Sequence, residues 1–340
     1  MKKRIISLIL VIVLALSMSS IGAFAASIEE KVITVDNIYQ MALDNNPNVA
    51  ILSNNIYIIG LTGLGTTVSQ SAANASQITS LTVSKKQIAY GAQQLLLSYY
   101  KLLNTKDTLE MNVKYMAKNA QVSKVMYEVG MMSKTDYDSV LNAQIELKAS
   151  LVQVNNSIEQ VENTLKTMIN EPLEATLNIG EFDSADISVV DTLNRESCYN
   201  EAMQNNYNVR ATFSSLDSAH MDMSDNENDI TETSYDSARI TYKNAKTQAE
   251  TAFKTQWDDL LLKRDTVILM KSKLDVATTT YETDKSRYNL GMLSPLEYMK
   301  AENDYNTAVI NYENACIDFT AAYERFEALV AGIELSSTAG

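Results

Sequence analysis

The chain has 340 residues, 46% hydrophobic and 21% charged, a composition that suits a folded protein and excludes wholesale disorder. Its net charge of −14 opposes a general nucleic-acid binder, which needs cations facing phosphate. One histidine, two cysteines and no glycine-rich phosphate loop leave little for catalysis, so the chain does not read as an enzyme and no catalytic, cofactor or metal residue is assigned.

In chain order, residues 1–25 come first and carry the pattern of an export signal. Lys2, Lys3 and Arg4 open it, an apolar stretch from Ile5 to Leu16 follows, and Ala23-Phe24-Ala25 supplies the small residues of a cleavage site. The apolar stretch is shorter than the ~20 residues of a spanning helix, so cleavage is expected rather than anchoring. Loss of the three cations would take the net charge from −14 to −17. The mature chain is expected in the cell envelope, with no transmembrane helix of its own. Cys198 and Cys316 make one pair at most, not a disulfide framework, and two buried small hydrophobes are the plainer expectation.

Ten glycines and three prolines are few, and none lies between Glu181 and Leu290. A run that long without a breaker predicts long helices and an all-α fold. The chain is also written twice. Tyr39-Gln-Met-Ala-Leu-Asp-Asn-Asn-Pro-Asn-Val49 matches Tyr199-Asn-Glu-Ala-Met-Gln-Asn-Asn-Tyr-Asn-Val209 at six of eleven positions, at an offset of 160. Tyr127-Glu-Val-Gly-Met-Met-Ser133 matches Tyr288-Asn-Leu-Gly-Met-Leu-Ser294 at an offset of 161, and Tyr137 and Asn142 match Tyr298 and Asn303 in the same register. Two blocks sharing one offset define repeats over 26–180 and 181–340.

Each repeat follows one plan. A short helix opens it, capped by Thr34 or Asp36 in the first copy and by Asp191 or Asn194 in the second. The Asn-Asn block stops that helix. A short helical piece then meets a breaker zone, residues 60–65 in the first copy and 222–229 in the second. A very long helix follows, ended by Gly130 or Gly291, and Ser133 or Ser294 caps a return helix with Asp136 or Glu297 as capping-box partner. In the second copy Phe253, Leu260, Val267, Leu274, Tyr281 and Tyr288 recur every seven residues, with Trp257 between, which predicts a supercoiled seam. Burial of this stripe is expected to come from assembly with other copies. His220 beside Asp217, Asp222 and Asp225 reads as a solvated turn rather than a metal site. The cluster at 60–65 lacks the spacing of a dinucleotide fingerprint.

At these blocks the chain resembles the TolC family of outer-membrane efflux proteins. The resemblance rests on Ala42-Leu43-Asp44-Asn45-Asn46-Pro47, on its decayed copy Ala202-Met203-Gln204-Asn205-Asn206-Tyr207, and on the tips Val129-Gly130-Met131-Met132-Ser133 and Leu290-Gly291-Met292-Leu293-Ser294. Leu296, Ala301-Glu302-Asn303 and Leu329-Val330-Ala331-Gly332 continue it. It spans residues 33–332. It implies two tandem repeats of antiparallel coiled-coil hairpins, a homotrimeric helical duct, a membrane-fusion adaptor at the hairpin tips, and an inner-membrane transporter behind that adaptor. It also implies an outer-membrane β-barrel, with strands inside the two breaker zones. The second zone with its flanks, Met221 to Glu232, carries Asp222, Asp225, Glu227, Asp229 and Glu232 and cannot face lipid, and the first is too short for two spanning strands. The barrel is therefore expected to be absent.

The tip residues Val129, Gly130, Met131, Leu290, Gly291 and Met292 are the candidate partner-binding surface, with Met132 and Leu293 also expected to be exposed. By resemblance, Asp136 and Glu297 stand where acids narrow the tube entrance, while the further acid three residues on is Ser139 or Lys300 here. The functional expectation is an exported, TolC-like efflux or secretion component. A non-transport envelope spacer or docking rod is the alternative.

Overall fold

Two helices of 61 residues each, α3 (Val68–Glu128) and α8 (Asp229–Asn289), set the dimensions of the protein. At 1.5 Å per residue each is about 90 Å long. The computed structural model describes residues 32–62, 68–226 and 228–333, so the export signal expected at 1–25 lies outside it. The first repeat contains α1 (Val35–Asn45), α2 (Pro47–Thr62), α3 and α4 (Lys134–Met168). The second contains a single turn, α5 (Val189–Thr192), then α6 (Arg195–Asn205), α7 (Tyr207–Asp225), α8 and α9 (Pro295–Val330). The fold is all-α in two tandem copies. Among the described residues, the β structure is one isolated parallel bridge, Ile33 with Ile179.

The long helices form a single layer in the order α4, α3, α9, α8. Lys101 Nζ meets Asp318 at 2.8 Å and Asn104 Nδ2 donates to Asn314 Oδ1 at 3.1 Å, so α3 and α9 run antiparallel. That register brings both hairpin tips to the same end of the molecule. Each repeat has its own core. Ile38, Leu96, Leu97 and Leu165 fill the first. Phe253, Leu260, Phe319 and Phe326 fill the second, where Trp257 and Phe326 meet edge to face at 5.5 Å. The irregular connector between the copies lies across both cores. Its Phe182 touches each cluster, Gly180 accepts from Tyr100 Oη at 2.9 Å, and Ala185 N donates to Thr320 Oγ1.

The Asn-Asn blocks are joints. Buried Asn46 caps α2 by accepting the amides of Asn48 and Val49, and donates its Nδ2 to the Met168 carbonyl at the end of α4, 2.9 Å away. α2 therefore continues the line of α4. In the second copy two residues share these roles. Asn206 Oδ1 caps α7 through the Val209 amide, and Asn205 Nδ2 donates to the Val330 carbonyl at the end of α9. Both return helices stop at a left-handed residue, Asn170 (φ 59°) and Gly332 (φ 79°), whose amides and those of the next residues turn back onto the last helical carbonyls.

Three sequence expectations are corrected. The breaker zones are narrower than expected: α2 continues through Gly60 to Thr62, and in the second copy α7 runs to Asp225 and α8 starts at Asp229, where Asn228 caps it. Acidic residues flanking Asn228 favour the α8 N-terminus instead of opposing helix. Residues 63–67 and 227 fall outside the description. The stripe from Phe253 to Tyr288 needs no second copy, because α9 of the same chain covers it: Phe253 packs on Phe326 at 5.8 Å and Tyr281 on Tyr305 at 4.9 Å. Met132 and Leu293 are half-buried against their hairpins, not exposed.

Two glycine stops give a graded test. Gly130 also has positive φ, but a Cβ there would meet open space, whereas a Cβ on Gly332 would overlap the Asn205 carbonyl. Gly130→Ala is expected to cost only left-handed strain, about 1–2 kcal/mol. Gly332→Ala is expected to cost clearly more in denaturant titration, and equal costs would contradict the close joint.

Candidate functional site

Each tip is a helix stop followed by a helix start. At the first, Gly130 N donates to the Tyr127 carbonyl (3.0 Å) and Met131 N to the Met126 carbonyl (2.7 Å). At the second, Gly291 N and Met292 N donate to Tyr288 and Arg287, each at 2.8 Å. Gly130 and Gly291 take φ of 77° and 75°, which only glycine adopts without Cβ strain. Ser133 then accepts the Asp136 amide, and Ser294 that of Glu297.

This geometry pushes Met131 and Met292 outward, 74% and 67% exposed, with Val129 and Leu290 beside them. Asp136 and Glu297 are spoken for locally. The Ser133 hydroxyl donates to Asp136 Oδ2 at 2.7 Å, and the Ser294 amide donates to Glu297 Oε2 at 2.8 Å. That amide, then the Ser294 hydroxyl, hold the Glu297 carboxyl below its usual range. Behind each tip sits a ring stack inside the hairpin: Tyr127 on Tyr137 at 5.4 Å, and Tyr288 on Tyr298 at 4.4 Å. Tyr281 extends the second stack and its hydroxyl lies 2.8 Å from that of Tyr298. The repeat aligns these four tyrosines in the sequence, but not their pairing across the turn.

The outer edges of the layer carry a pattern that the sequence reading missed. On α8 the seam residues Leu260, Val267 and Leu274 face α9, and Leu262, Leu269 and Val276, each two residues later, are exposed. Two residues are about 200° of helix, so this second heptad points away from α9. On α4 the residues facing α3 include Leu147 and Val154, and Ile145 and Val152, two residues earlier, are exposed. A seven-residue recurrence of exposed apolar side chains was the available signal.

The other candidates dissolve. His220 is exposed and packs its ring near Tyr235, and among the described residues no group of three His, Cys, Asp or Glu could hold a metal. Cys198 is half-buried and Cys316 buried, both as free thiols. No described helix is long and apolar enough to cross a membrane.

Comparison with solved structures gives the same architecture in membrane proteins. CusC aligns with a TM-score of 0.63 and 10% identity, over 88% of this chain and 96% of that one. A membrane protein of Pseudomonas aeruginosa aligns at 0.60 and 11%, over 90% and 92%. The outer membrane protein VceC of Vibrio cholerae aligns at 0.56 and 12%, over 88% and 97%. No protein-family model and no curated protein sequence matches the chain. The protein therefore has the helical fold of TolC-like outer-membrane channels, without strands among its described residues.

One carboxyl between the repeats gives a pH test. Burial, then the neighbouring Glu327 and to a lesser degree Asp36, push Glu324 up to about 7, while Gln93 opposes the shift. Folding thus favours its protonated form: that stabilisation is complete below about pH 4.5 and is lost as pH rises through about 7. Glu324→Gln is expected to raise stability at pH 8 by ~1–2 kcal/mol, discounted for partial exposure, and to do little at pH 4. An equal gain at both pH values would rule out this account.

Proposed function

We propose that the protein is an exported, TolC-like component of an efflux or secretion system, in which copies of the chain stand side by side as a helical tube. The supporting observation is the pair of free edges. α4 starts from its tip at Lys134 and α8 reaches its tip at Asn289. Ile145 and Val152 on α4 therefore stand at nearly the same heights above the tips as Val276 and Leu269 on α8. α4 runs away from the tips and α8 towards them, so the α4 edge of one copy can interlock antiparallel with the α8 edge of the next. Unlike edges meeting head to tail close into a ring when the rotation allows.

In this reading the duplicated unit, 26–180 and 181–340 behind a cleaved signal at 1–25, gives four long helices per copy, and three copies complete the tube. The tips lie together at one end, where Val129, Met131, Leu290 and Met292 offer adaptable apolar side chains to an adaptor joined to an inner-membrane transporter. Asp136 and Glu297 would stand just inside that mouth. CusC, with the same fold, is a transmembrane channel; passage of substrate through a lumen, with no bond made or broken, is the corresponding role here.

Light scattering on the mature protein at high micromolar concentration is expected to give a closed oligomer, three copies in the simplest case. Leu269→Asp should return it to a monomer of unchanged helicity. A wild-type monomer would favour the spacer alternative over a duct.

At the tips, Met131→Asp with Met292→Asp should leave the helices and the melting temperature unchanged, since both side chains are exposed. A central apolar anchor contributes about 2 kcal/mol or more at an interface, or ~30-fold in affinity. Recovery of the adaptor from envelope extracts should fall accordingly, and undiminished recovery would move the contact elsewhere.

A further inference from the structure

One side of the helical layer is covered and the other is bare. Tyr100 Oη donates to the connector at Gly180 (2.9 Å), Ala185 N of the connector donates to Thr320 Oγ1 (3.2 Å), and Gln93 Nε2 donates to the Val35 carbonyl of α1 (3.2 Å). Arg264 meets Asp191 of α5 at 3.1 Å. The connector, α1 and α5 therefore share one side. Asp318 lies two residues, about 200° of helix, from Thr320 and so points to the bare side. There Lys101 Nζ lies 2.8 Å from Asp318 Oδ1, and Lys263 Nζ 3.9 Å from Oδ2. Two cations, from α3 and α8, share one carboxylate of α9.

One heptad farther from the tips, about 10 Å along the bundle, the same antiparallel register brings Gln94 of α3, Arg325 of α9 and Gln256 of α8 to this side. Arg325 is half-buried and has no ion pair among the described residues. Gln94 Nε2 is a buried donor without an acceptor, and Gln256 Oε1 a buried acceptor without a donor. Turning the Gln256 amide over makes it a second donor. A buried donor left unpaired is costly, so it marks a place for an acceptor. The acids of the patch are Asp318 and half-buried Asp259, set against Lys101, Lys263 and Arg325. This surplus of cations stands in a chain of net charge −14. On the side that carries the connector the balance is reversed, where Asp107, Glu110 and Glu313 line a groove with Lys114.

We infer that these two levels form an anion-binding station on the inner wall of the tube, which takes the carboxylate or phosphate group of a transported molecule. An incoming oxyanion competes with Asp318 for the ammonium groups of Lys101 and Lys263. Arg325 offers it a planar fork of donors, and Gln94 Nε2 gains the acceptor it lacks. A cationic group is the poorer ligand, because the Asp318 carboxylate is already shared by two lysines. The bare side is the inner one because the connector, α1 and α5 thicken the other, and a layer closes into a tube with its thicker side outward. Copies related by rotation repeat the station at one height, so their surplus charge adds inside a confined space. The place in a lumen rests on the tube reading; the donors themselves all lie within one copy.

Thiol labelling of the mature chain carrying Cys198→Ala and Cys316→Ala tests both parts. Ser98→Cys places a thiol between Gln94 and Lys101 on the bare side, and Gln121→Cys places one on the opposite side of α3, both at exposed positions. Relative to free cysteine, Ser98→Cys is expected to favour an anionic methanethiosulfonate over a cationic one by roughly tenfold. Lys263→Gln with Arg325→Gln should remove that preference at unchanged helicity. Sodium phosphate should slow the anionic reagent more than sodium chloride of equal ionic strength. Equal slowing would reduce the patch to a diffuse field and overturn the station, as would the absence of any preference. A bulky polyethylene glycol maleimide reports the tube separately: it should label Ser98→Cys far more slowly than Gln121→Cys. Slow labelling without the anion preference would leave the tube standing and sink the station. Equal labelling with the preference intact would overturn its place in a lumen and count against the tube.

Discussion

A helix as long as α3 or α8 can bury only a stripe of its surface, and that constraint organises the rest of the molecule. Isolated, such a helix would be stabilised mainly by its own backbone bonds, since most helical stability in proteins comes from packing one face. The heptad on α8 that includes Phe253, Leu260 and Val267 meets Phe319 and Phe326 from α9. The partner reaches it by the shortest route, a turn at Gly291. α3 is treated the same way by α4. Two hairpins then share the α3–α9 contact, where the link is mixed: Lys101–Asp318 and Asn104–Asn314 are polar, and Glu324 is a carboxyl held near neutrality. Exposed ion pairs contribute little, so this contact fixes register more than it adds stability.

Helix ends are the second consequence. Long helices multiply the effect of any angular error at a turn, and the protein controls those turns with backbone chemistry rather than bulk. The four long helices stop at left-handed or near-bridging geometry closed by paired backbone bonds, with Gly130, Asn170, Gly291 and Gly332 at the positive-φ position. The Asn-Asn blocks work because asparagine offers an acceptor and a donor on one short side chain. Asn46 uses the acceptor to start α2 and the donor to hold the end of α4. Alanine could do neither, and aspartate could only accept.

These features differ in how far the sequence displays them. The offset near 160, the tip glycines and the serine caps were legible because turns and caps are set by a few local residues. The extent of α7 and α8 was not: acids around Asn228 read as a solvated break, yet a helix N-terminus welcomes them through its unpaired amides. Heptad spacing showed that Phe253 to Tyr288 form a seam but not whose helix fills it, because periodicity names a face and never a partner. Met132 and Leu293 misled for a related reason. They lie beside exposed methionines in the chain, but the turn rotates successive side chains to opposite sides. The exposed heptads on α4 and α8 escaped notice because the stronger seams next to them dominate the same windows.

Duplication also shapes the free edges. The order α4, α3, α9, α8 leaves the return helix of the first repeat at one edge and the long helix of the second at the other, so the edges would differ even for identical repeats. α1 and α6 keep the Tyr, Ala and Asn residues that build the joint, and the tips keep their Gly and Ser. α2 and α7 instead differ across their outer faces, with Tyr57 and Ile58 set against Asp217 and Ser218. The joint and tip residues are thus held in both copies, while the outer faces of α2 and α7 have separated into an uncharged one and a solvated one. Solvation alone would have let both edges drift towards charge.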